Sequence, residues 1–162
     1  MNNPIEIYSI GHSNKSRDEF IKELKAWQVK TLVDVRSKPY SRFLPHFRKE
    51  NLKETLENEG IRYWFCGKKL GGYPNDETVF KKGKPDYRTI MKKEWFKEGL
   101  NEVMEPKHHP AALMCAEKDP LKCHRFYLIS EALREEGIEV FHILAADQCK
   151  NHSTLRKGMT LP

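Results

Sequence analysis

The fold is decided by the stretch Ile5-Glu6-Ile7-Tyr8-Ser9-Ile10, which leads through Gly11-His12-Ser13-Asn14 into Ser16-Arg17-Asp18-Glu19. The first part predicts a strand, which the glycine-led turn ends. Ser16 and Glu19 then have the spacing of a capping box, the signature of a helix start. Apolar residues recur afterwards at helical spacing, at Phe20, Leu24 and Trp27. The stretch therefore predicts a strand, a turn and a helix with one apolar face.

The rest of the chain repeats this alternation of strand-like and helix-like segments. Strands are predicted at 31–35, 61–65, 111–115 and 140–144, and helices at 51–59, at 87–103 and around Phe126, Ile129 and Leu133. Such alternation is typical of parallel βαβ units. We therefore predict the α/β class, with a single-domain three-layer sandwich over residues 4–145 and a mostly parallel sheet of about five strands. Residues 67–84 are predicted to be a long loop, and 146–162 a polar, partly disordered tail.

Composition narrows the class of protein. The chain has 162 residues, enough for one domain with a sizeable core, and lacks both a transmembrane apolar run and a signal-peptide pattern, so we predict a cytoplasmic protein without membrane contact. Its four cysteines do not form a dense disulfide framework, which favours reduced thiols. The net charge of +6 suits an anionic partner, either a small molecule or a nucleic acid, although a solubilising surface explains it equally simply.

Polar side chains follow three of the predicted strands. Gly11-His12-Ser13-Asn14 follows the first, Asp34, Arg36 and Ser37 end the second, and 115–125 follows the fourth with Glu117, Cys123, His124 and Arg125. Ligands bind at the carboxyl ends of strands in parallel α/β sheets, so these groups are expected to share one crevice. This convergence depends on the strands being parallel.

Each candidate residue has a chemical role and a structural alternative. Asp119-Pro120 predicts a helix start, and a helix N-terminus beside Arg125 or His124 favours a thiolate at Cys123, so this residue is our candidate nucleophile. Cys123 could equally be a small packing residue, and Cys115, inside an apolar strand, is predicted to be structural. The candidates for acid/base or orienting roles are His12, His124, Glu117 and Asp34, and those for anion binding are Ser13, Asn14, Arg36, Ser37 and Arg125. The alternatives are turn hydrogen bonds for Ser13 and Asn14 and ion pairs for the charged residues.

Cofactor motifs are missing from the sequence. Neither Gly-x-Gly-x-x-Gly nor the Walker pattern occurs, and the spacing of Cys115, Cys123 and His124 matches no common structural zinc site. We therefore predict no cofactor and no metal. A phosphatase loop is not indicated either, because six residues after Cys115 and Cys123 stand Leu121 and Ile129 rather than arginine.

The same motifs resemble a known family. Ser9-Ile10-Gly11-His12-Ser13-Asn14, Asp34-Val35-Arg36-Ser37, and the run from Cys115-Ala116-Glu117 to Cys123-His124-Arg125 are similar to the signature of the domain-of-unknown-function 488 family. The resemblance implies a cytoplasmic, prokaryotic-type α/β domain. The Asp-Val-Arg strand end is also similar to that of rhodanese-type sulfur transferases, but the compact cysteine-to-arginine loop of those enzymes is missing.

Three functions remain open from the sequence. The first is an enzyme, a thiol- or acid/base-dependent hydrolase or transferase acting on an anionic nucleotide or nucleic-acid substrate through the Cys/His/Arg site. The second is a non-catalytic nucleic-acid-binding module, for which arginines and aromatics alternate at Arg42-Phe43, Phe47-Arg48 and Arg62-Tyr63-Trp64. The third is a rhodanese-like sulfur transferase using Cys123.

Overall fold

The protein is described by a computed structural model covering residues 5–159, so the predicted domain start at Pro4 and the last three residues of the predicted tail lie outside the described residues. Six strands form one sheet in the order β3 (Arg62–Phe65), β2 (Thr31–Asp34), β6 (Ala111–Cys115), β1 (Ile7–Gly11), β7 (Val140–Ala145) and β8 (Gln148–Asn151). The first five of these are parallel to one another, and β8 pairs antiparallel with β7. The predicted α/β class with a mostly parallel sheet is confirmed.

Helices cover both faces of the sheet. On one face lie α1 (Arg17–Ala26) and α2 (Lys49–Asn58), which pack against an apolar cluster that includes Ile10, Ala112 and Met114. On the other lie α3 (Gly67–Leu70), α4 (Tyr87–Met91), α5 (Glu94–Met104) and α6 (Glu131–Glu135), around a second cluster. Successive residues of β6 alternate between the two clusters because strand side chains point to opposite faces.

Local signals account for many element boundaries. The Ser16 hydroxyl accepts a hydrogen bond from the Glu19 backbone N–H at 3.1 Å, as a helix cap should. Gly60, with φ of +76°, follows the end of α2 in the left-handed conformation that glycine adopts without steric cost. A π-helical turn, Arg125–Ser130, leads directly into α6.

Several segments differ from the prediction. The helix expected over 87–103 is divided into α4 and α5, and the loop expected over 67–84 contains α3 and a small hairpin, β4 (Phe80–Lys81) with β5 (Lys84–Pro85). Residues 146–159, expected to be a partly disordered tail, instead form β8 and α7 (His152–Arg156). These last elements are short and polar, and α7 is fixed by the buried His152 rather than by an apolar face. Within residues 5–159, no helix is long and apolar enough to cross a membrane.

Candidate functional site

Three loops meet at the carboxyl edge of the sheet because β6 lies between β1 and β2. The backbone N–H of His12 donates to the Cys115 carbonyl at 2.9 Å, and that of Val35 donates to the Met114 carbonyl at 3.0 Å. The segments that follow all three strands are thus tied together immediately beyond the sheet. The sequence-based expectation that these segments converge agrees with this geometry.

Arg36 is held by a ring of buried acceptors. Its Nε and Nη2 donate to the two carboxylate oxygens of Asp34 at 2.9 and 2.8 Å, and its Nη1 donates to the Phe47 carbonyl at 2.8 Å. The Tyr63 hydroxyl donates to the same carboxylate at 2.5 Å. Asp34 is fully buried and Arg36 nearly so. Since two-pronged arginine–carboxylate pairs are strong and directional, Asp34 fixes Arg36 rather than facing a ligand.

His12 lies beneath this arginine. Its Nδ1 donates to the Ser13 carbonyl at 2.8 Å, its Nε2 lies 3.4 Å from Nη1 of Arg36, and its ring stacks on Phe47. Burial is the main cause that lowers the pKa of His12 to about 4. The ring is therefore neutral near pH 7, and both of its nitrogens have partners within the protein.

Arg125 is the most deeply buried cation of the site. Its side chain donates to the Ser9 hydroxyl at 3.0 Å, to the Cys115 sulfur at 2.8 Å and to the carbonyls of Glu117 and Lys118 at 2.8 and 3.2 Å. Burial lowers its pKa to about 10, which leaves it protonated near pH 7. All four of these acceptors are formally neutral unless the Cys115 thiol ionises.

Cys115 and Cys123 form a close sulfur pair. Their Sγ atoms are in direct contact, in the position of a disulfide, while their Cα atoms lie 7.7 Å apart. Cys123 also accepts a backbone hydrogen bond from Arg125 at 3.4 Å. Cys115, which the sequence predicts to be structural, is therefore part of the site. Cys66 and Cys149 are unpaired.

His124 closes the site on the side of β2. Its Nε2 donates to the Val35 and Leu70 carbonyls at 3.0 and 3.2 Å, which leaves Nδ1 facing the Cys123 sulfur at 3.7 Å. Burial lowers the pKa of His124 to about 4, so the ring is neutral near pH 7. A Cβ on Gly72 would lie 2.7 Å from Cγ of His124, so the ring needs a glycine at that position.

A cleft of about 310 Å³ opens above these groups. Six residues of the converging loops are among those that line it: Arg36, Ser37, Glu117, Lys122, Cys123 and His124. Asp34 and Arg125 contact groups that line it, Arg36 and the Glu117 carbonyl respectively. Ser13 and Asn14 instead border a separate depression of about 330 Å³ with Lys118 and Glu23, so the structure does not bring them to the thiols. Ser37 accepts a backbone hydrogen bond from Tyr73 at 2.8 Å and thereby helps to shape the cleft.

Sequence reasoning missed three contributors to the site. From the sequence, Cys115 is predicted to be structural, and neither Gly72 nor Ser9 is given a role of its own. The close spacing of Cys115, Cys123 and Arg125 around one strand end was a usable signal, but nothing local indicates the distant contact of Ser9 with Arg125. Within residues 5–159, no three His, Cys, Asp or Glu side chains are grouped so as to hold a metal ion.

Comparison with known proteins gives a family. Searches of curated proteins and of solved structures found no match. The family described as "Domain of unknown function DUF488" matches residues 16–133, a span that includes β2, β6 and both paired cysteines. That span is well over half of the chain, and the chain belongs to the DUF488 family.

Proposed function

We propose that the protein is a thiol-dependent enzyme, a hydrolase or transferase, that acts on an anionic substrate in the cleft. The observation that carries this proposal is the contact of the Cys115 and Cys123 sulfurs under the buried guanidinium of Arg125. A thiolate is the reactive form of cysteine, and N–H donors and a neighbouring cation stabilise it.

The roles follow from the hydrogen bonds. Both cysteines border the cleft, and Cys123 is the nucleophile because its sulfur receives the Arg125 backbone N–H and lies 3.7 Å from Nδ1 of His124. His124 is neutral, so its Nδ1 orients the Cys123 thiol, and Arg125 balances the charge that forms on the sulfur pair. In the reaction, the thiolate bonds to an electrophilic atom of the substrate, and the leaving group departs with the electron pair of the broken bond.

The preference for an anion comes from the cations around the cleft. Lys122 and Arg36 border it, and Arg125 is buried against Cys115 and Glu117, which also border it. Both arginines already have partners, so Lys122 is the cation with freedom to contact a ligand directly. The excess of basic residues, with a net charge of +6, adds a long-range attraction for nucleotides or nucleic acids.

The test compares the alkylation rates of two cysteines in the same protein. In the reduced protein at pH 7, we expect iodoacetamide to label Cys123 at least about tenfold faster than Cys149, since tenfold more thiolate corresponds to one pKa unit. Exposure alone predicts the reverse order of labelling rates, because Cys123 is only 7% exposed and Cys149 is half-buried. Burial raises the pKa of Cys149, which lowers its thiolate fraction. Faster labelling of Cys149 would rule out an activated thiol.

The anionic preference needs a second measurement. The ratio of labelling by iodoacetate to labelling by iodoacetamide should be several-fold higher at Cys123 than at Cys149, and Lys122→Gln should lower that ratio at Cys123 only. Equal ratios at both cysteines would remove the argument for an anionic substrate.

Sulfur transfer is a second candidate that the sulfur pair favours. With thiosulfate, the Cys123 thiolate would take the outer sulfur and release sulfite, which leaves a persulfide on Cys123. Attack by the adjacent Cys115 thiolate on the inner sulfur would then form the Cys115–Cys123 disulfide and release hydrosulfide. Mass spectrometry of Cys115→Ser after thiosulfate treatment should show a stable gain of one sulfur atom at Cys123; an unmodified Cys123 excludes this reaction.

Nucleic-acid binding is supported by another part of the chain. Tyr40 and Phe43 are 61% and 82% exposed, and guanidinium groups of Arg48 and Arg42 lie over their rings. Two of the aromatics expected to stack on bases, Phe47 and Tyr63, are instead buried in the core. Salt-dependent affinity for single-stranded oligonucleotides that Phe43→Ala weakens would support this function, and no binding at low salt would eliminate it.

A further inference from the structure

A continuous buried hydrogen-bond chain runs from the thiol site to Glu131, the first residue of α6. Arg125 Nε contacts the Ser9 hydroxyl at 3.0 Å, and that hydroxyl contacts His142 Nδ1 at 2.5 Å. His142 Nε2 lies 3.0 Å from His152 Nδ1, and His152 Nε2 lies 2.5 Å from a carboxylate oxygen of Glu131. Four of these residues are completely buried, and Glu131 is 4% exposed.

The chemistry of Arg125 and Glu131, the two ends of this chain, fixes the donor and the acceptor of every hydrogen bond in it. A guanidinium only donates and a carboxylate only accepts, so His152 donates through Nε2 to Glu131 and accepts at Nδ1. His142 then donates through Nε2, which leaves its Nδ1 to accept the Ser9 O–H. The Ser9 oxygen in turn accepts from Arg125. Each donor has one acceptor, and both imidazoles are neutral.

Neutral imidazoles agree with their surroundings. Burial is the main cause that lowers the pKa of His142 to about 2, and it also lowers the pKa of His152. Burial opposes ionisation of Glu131, but hydrogen bonds from His152 and Arg156 outweigh it and lower the pKa of this carboxyl. Arg156 binds both Glu131 oxygens, at 3.0 and 2.9 Å, and so anchors the far end.

We propose that Ser9, His142, His152 and Glu131 are positioning residues that keep the Arg125 guanidinium directed at the Cys115 sulfur. The inference rests on the proposed function, since it concerns the same sulfur pair. The guanidinium has no carboxylate in direct contact among the described residues, and the chain links it to Glu131 through polarised neutral groups. Hydrogen bonds in such a chain strengthen one another, so the carboxylate makes Ser9 a better acceptor for Arg125.

The family match alone does not point to this hydrogen-bond chain. Ser9, His142 and His152 all lie outside residues 16–133, and only Glu131 and Arg125 lie within them. The α7 helix contributes to the fold mainly by delivering His152 and Arg156 to Glu131. The C-terminal elements thus have a role in the positioning chain, whereas the cleft alone assigns them none.

The first experiment breaks the chain next to Arg125. In the reduced protein, the rate of Cys115 alkylation is measured by mass spectrometry from pH 5 to pH 10 for wild type, Ser9→Ala and Ser130→Ala. Both substitutions remove a buried hydroxyl that touches Arg125, but Ser130 contacts only its backbone carbonyl, at 2.5 Å. We expect Ser9→Ala to lower the rate at pH 7 about tenfold by moving the midpoint of the profile up by one pH unit, and Ser130→Ala to leave the midpoint unchanged.

The second experiment uses Glu131→Gln, which keeps the shape of the side chain and removes its charge. Through-space electrostatics alone would increase thiolate formation, because a nearby negative charge is lost. The positioning chain predicts the opposite sign, namely a two- to fivefold lower rate at pH 7, because Arg125 is held less firmly. Glu117, Asp119 and His124, the other titratable groups near Arg125 and the sulfur pair, are the same in all variants.

The outcomes are distinct. A raised midpoint in both Ser9→Ala and Glu131→Gln, with Ser130→Ala unchanged, supports the positioning chain. Equal midpoints in Ser9→Ala and Ser130→Ala, or a faster rate in Glu131→Gln, overturn it while leaving the proposed function intact. An unreactive Cys115 and Cys123 in the wild type would overturn both.

Discussion

Acidification from pH 7 to pH 5 should strongly destabilise the folded protein. His12, His124 and His142 are buried as neutral rings, and burial is the main cause that lowers their pKa values to about 4, about 4 and about 2. In the unfolded chain a histidine pKa is about 6.5. The histidines of the unfolded state therefore bind protons that the buried histidines of the folded state do not bind. The free energy of unfolding consequently falls as the pH falls below about 6.5.

The magnitude follows from these pKa differences. A histidine with a pKa of about 6.5 unfolded and about 4 folded loses about 2 kcal/mol of stabilisation between pH 7 and pH 5. The three rings together lose about 6 kcal/mol, which is comparable to the whole stability of many domains, about 5–15 kcal/mol. The loss levels off only near the folded pKa values, where the folded protein also takes up protons.

Urea unfolding at pH 7, 6 and 5, followed by tryptophan fluorescence, measures this loss. His12→Gln should reduce the pH-dependent loss by about 2 kcal/mol, because one of the three titrating rings is gone. Leu52→Ala, a fully buried residue without a titratable group, should lower stability by about 2–5 kcal/mol at every pH and leave the pH dependence unchanged. A free energy of unfolding that stays constant from pH 7 to pH 5 would refute the neutral-histidine reasoning.

Two substitutions probe the support of the cleft. Gly72→Ala would place a Cβ 2.7 Å from the His124 ring and should lower the free energy of unfolding by about 1–3 kcal/mol, measured by urea unfolding; an unchanged value would show that the ring moves freely. Asp34→Asn removes the charged partner of buried Arg36 and should cost about 3–5 kcal/mol in the same assay. Glu59→Gln, in an exposed ion pair, is its control and should cost less than about 1 kcal/mol; equal costs would contradict the role of burial.

The parallel sheet and its convergent loops were predictable because their signals are local. Apolar runs such as 111–115 mark buried strands, and Ser16 with Glu19 marks a helix start. Given parallel strands, the segments after β1, β2 and β6 lie at one edge of the sheet. That they also meet depends on β6 lying between the other two strands, which the sequence does not state.

The C-terminal elements were not predictable because their stabilising contacts are polar and distant. His142 meets Ser9 across 133 positions of the chain, and His152 meets Glu131 across 21. A strand such as β8 and a helix of five residues carry little apolar periodicity, which is the main signal for secondary structure. Their order comes from side-chain hydrogen bonds in a buried position, where each bond is costly to leave unmade.

Arg36 and Arg125 show that the position of a residue at a strand end does not predict which way its side chain turns. Strand-end reasoning predicts that Arg36 and Arg125 lie near one crevice, and both do, but it treats an arginine near a cleft as a group that faces a ligand. Arg36 instead turns back onto the Asp34 carboxylate two residues earlier, and Arg125 turns inward to Ser9 and the Cys115 sulfur. A buried guanidinium must satisfy its donors within the protein, so these cations act on the cleft through the groups they hold. In the proposed function, the groups left to contact the substrate are therefore the sulfur pair and Lys122 at the rim.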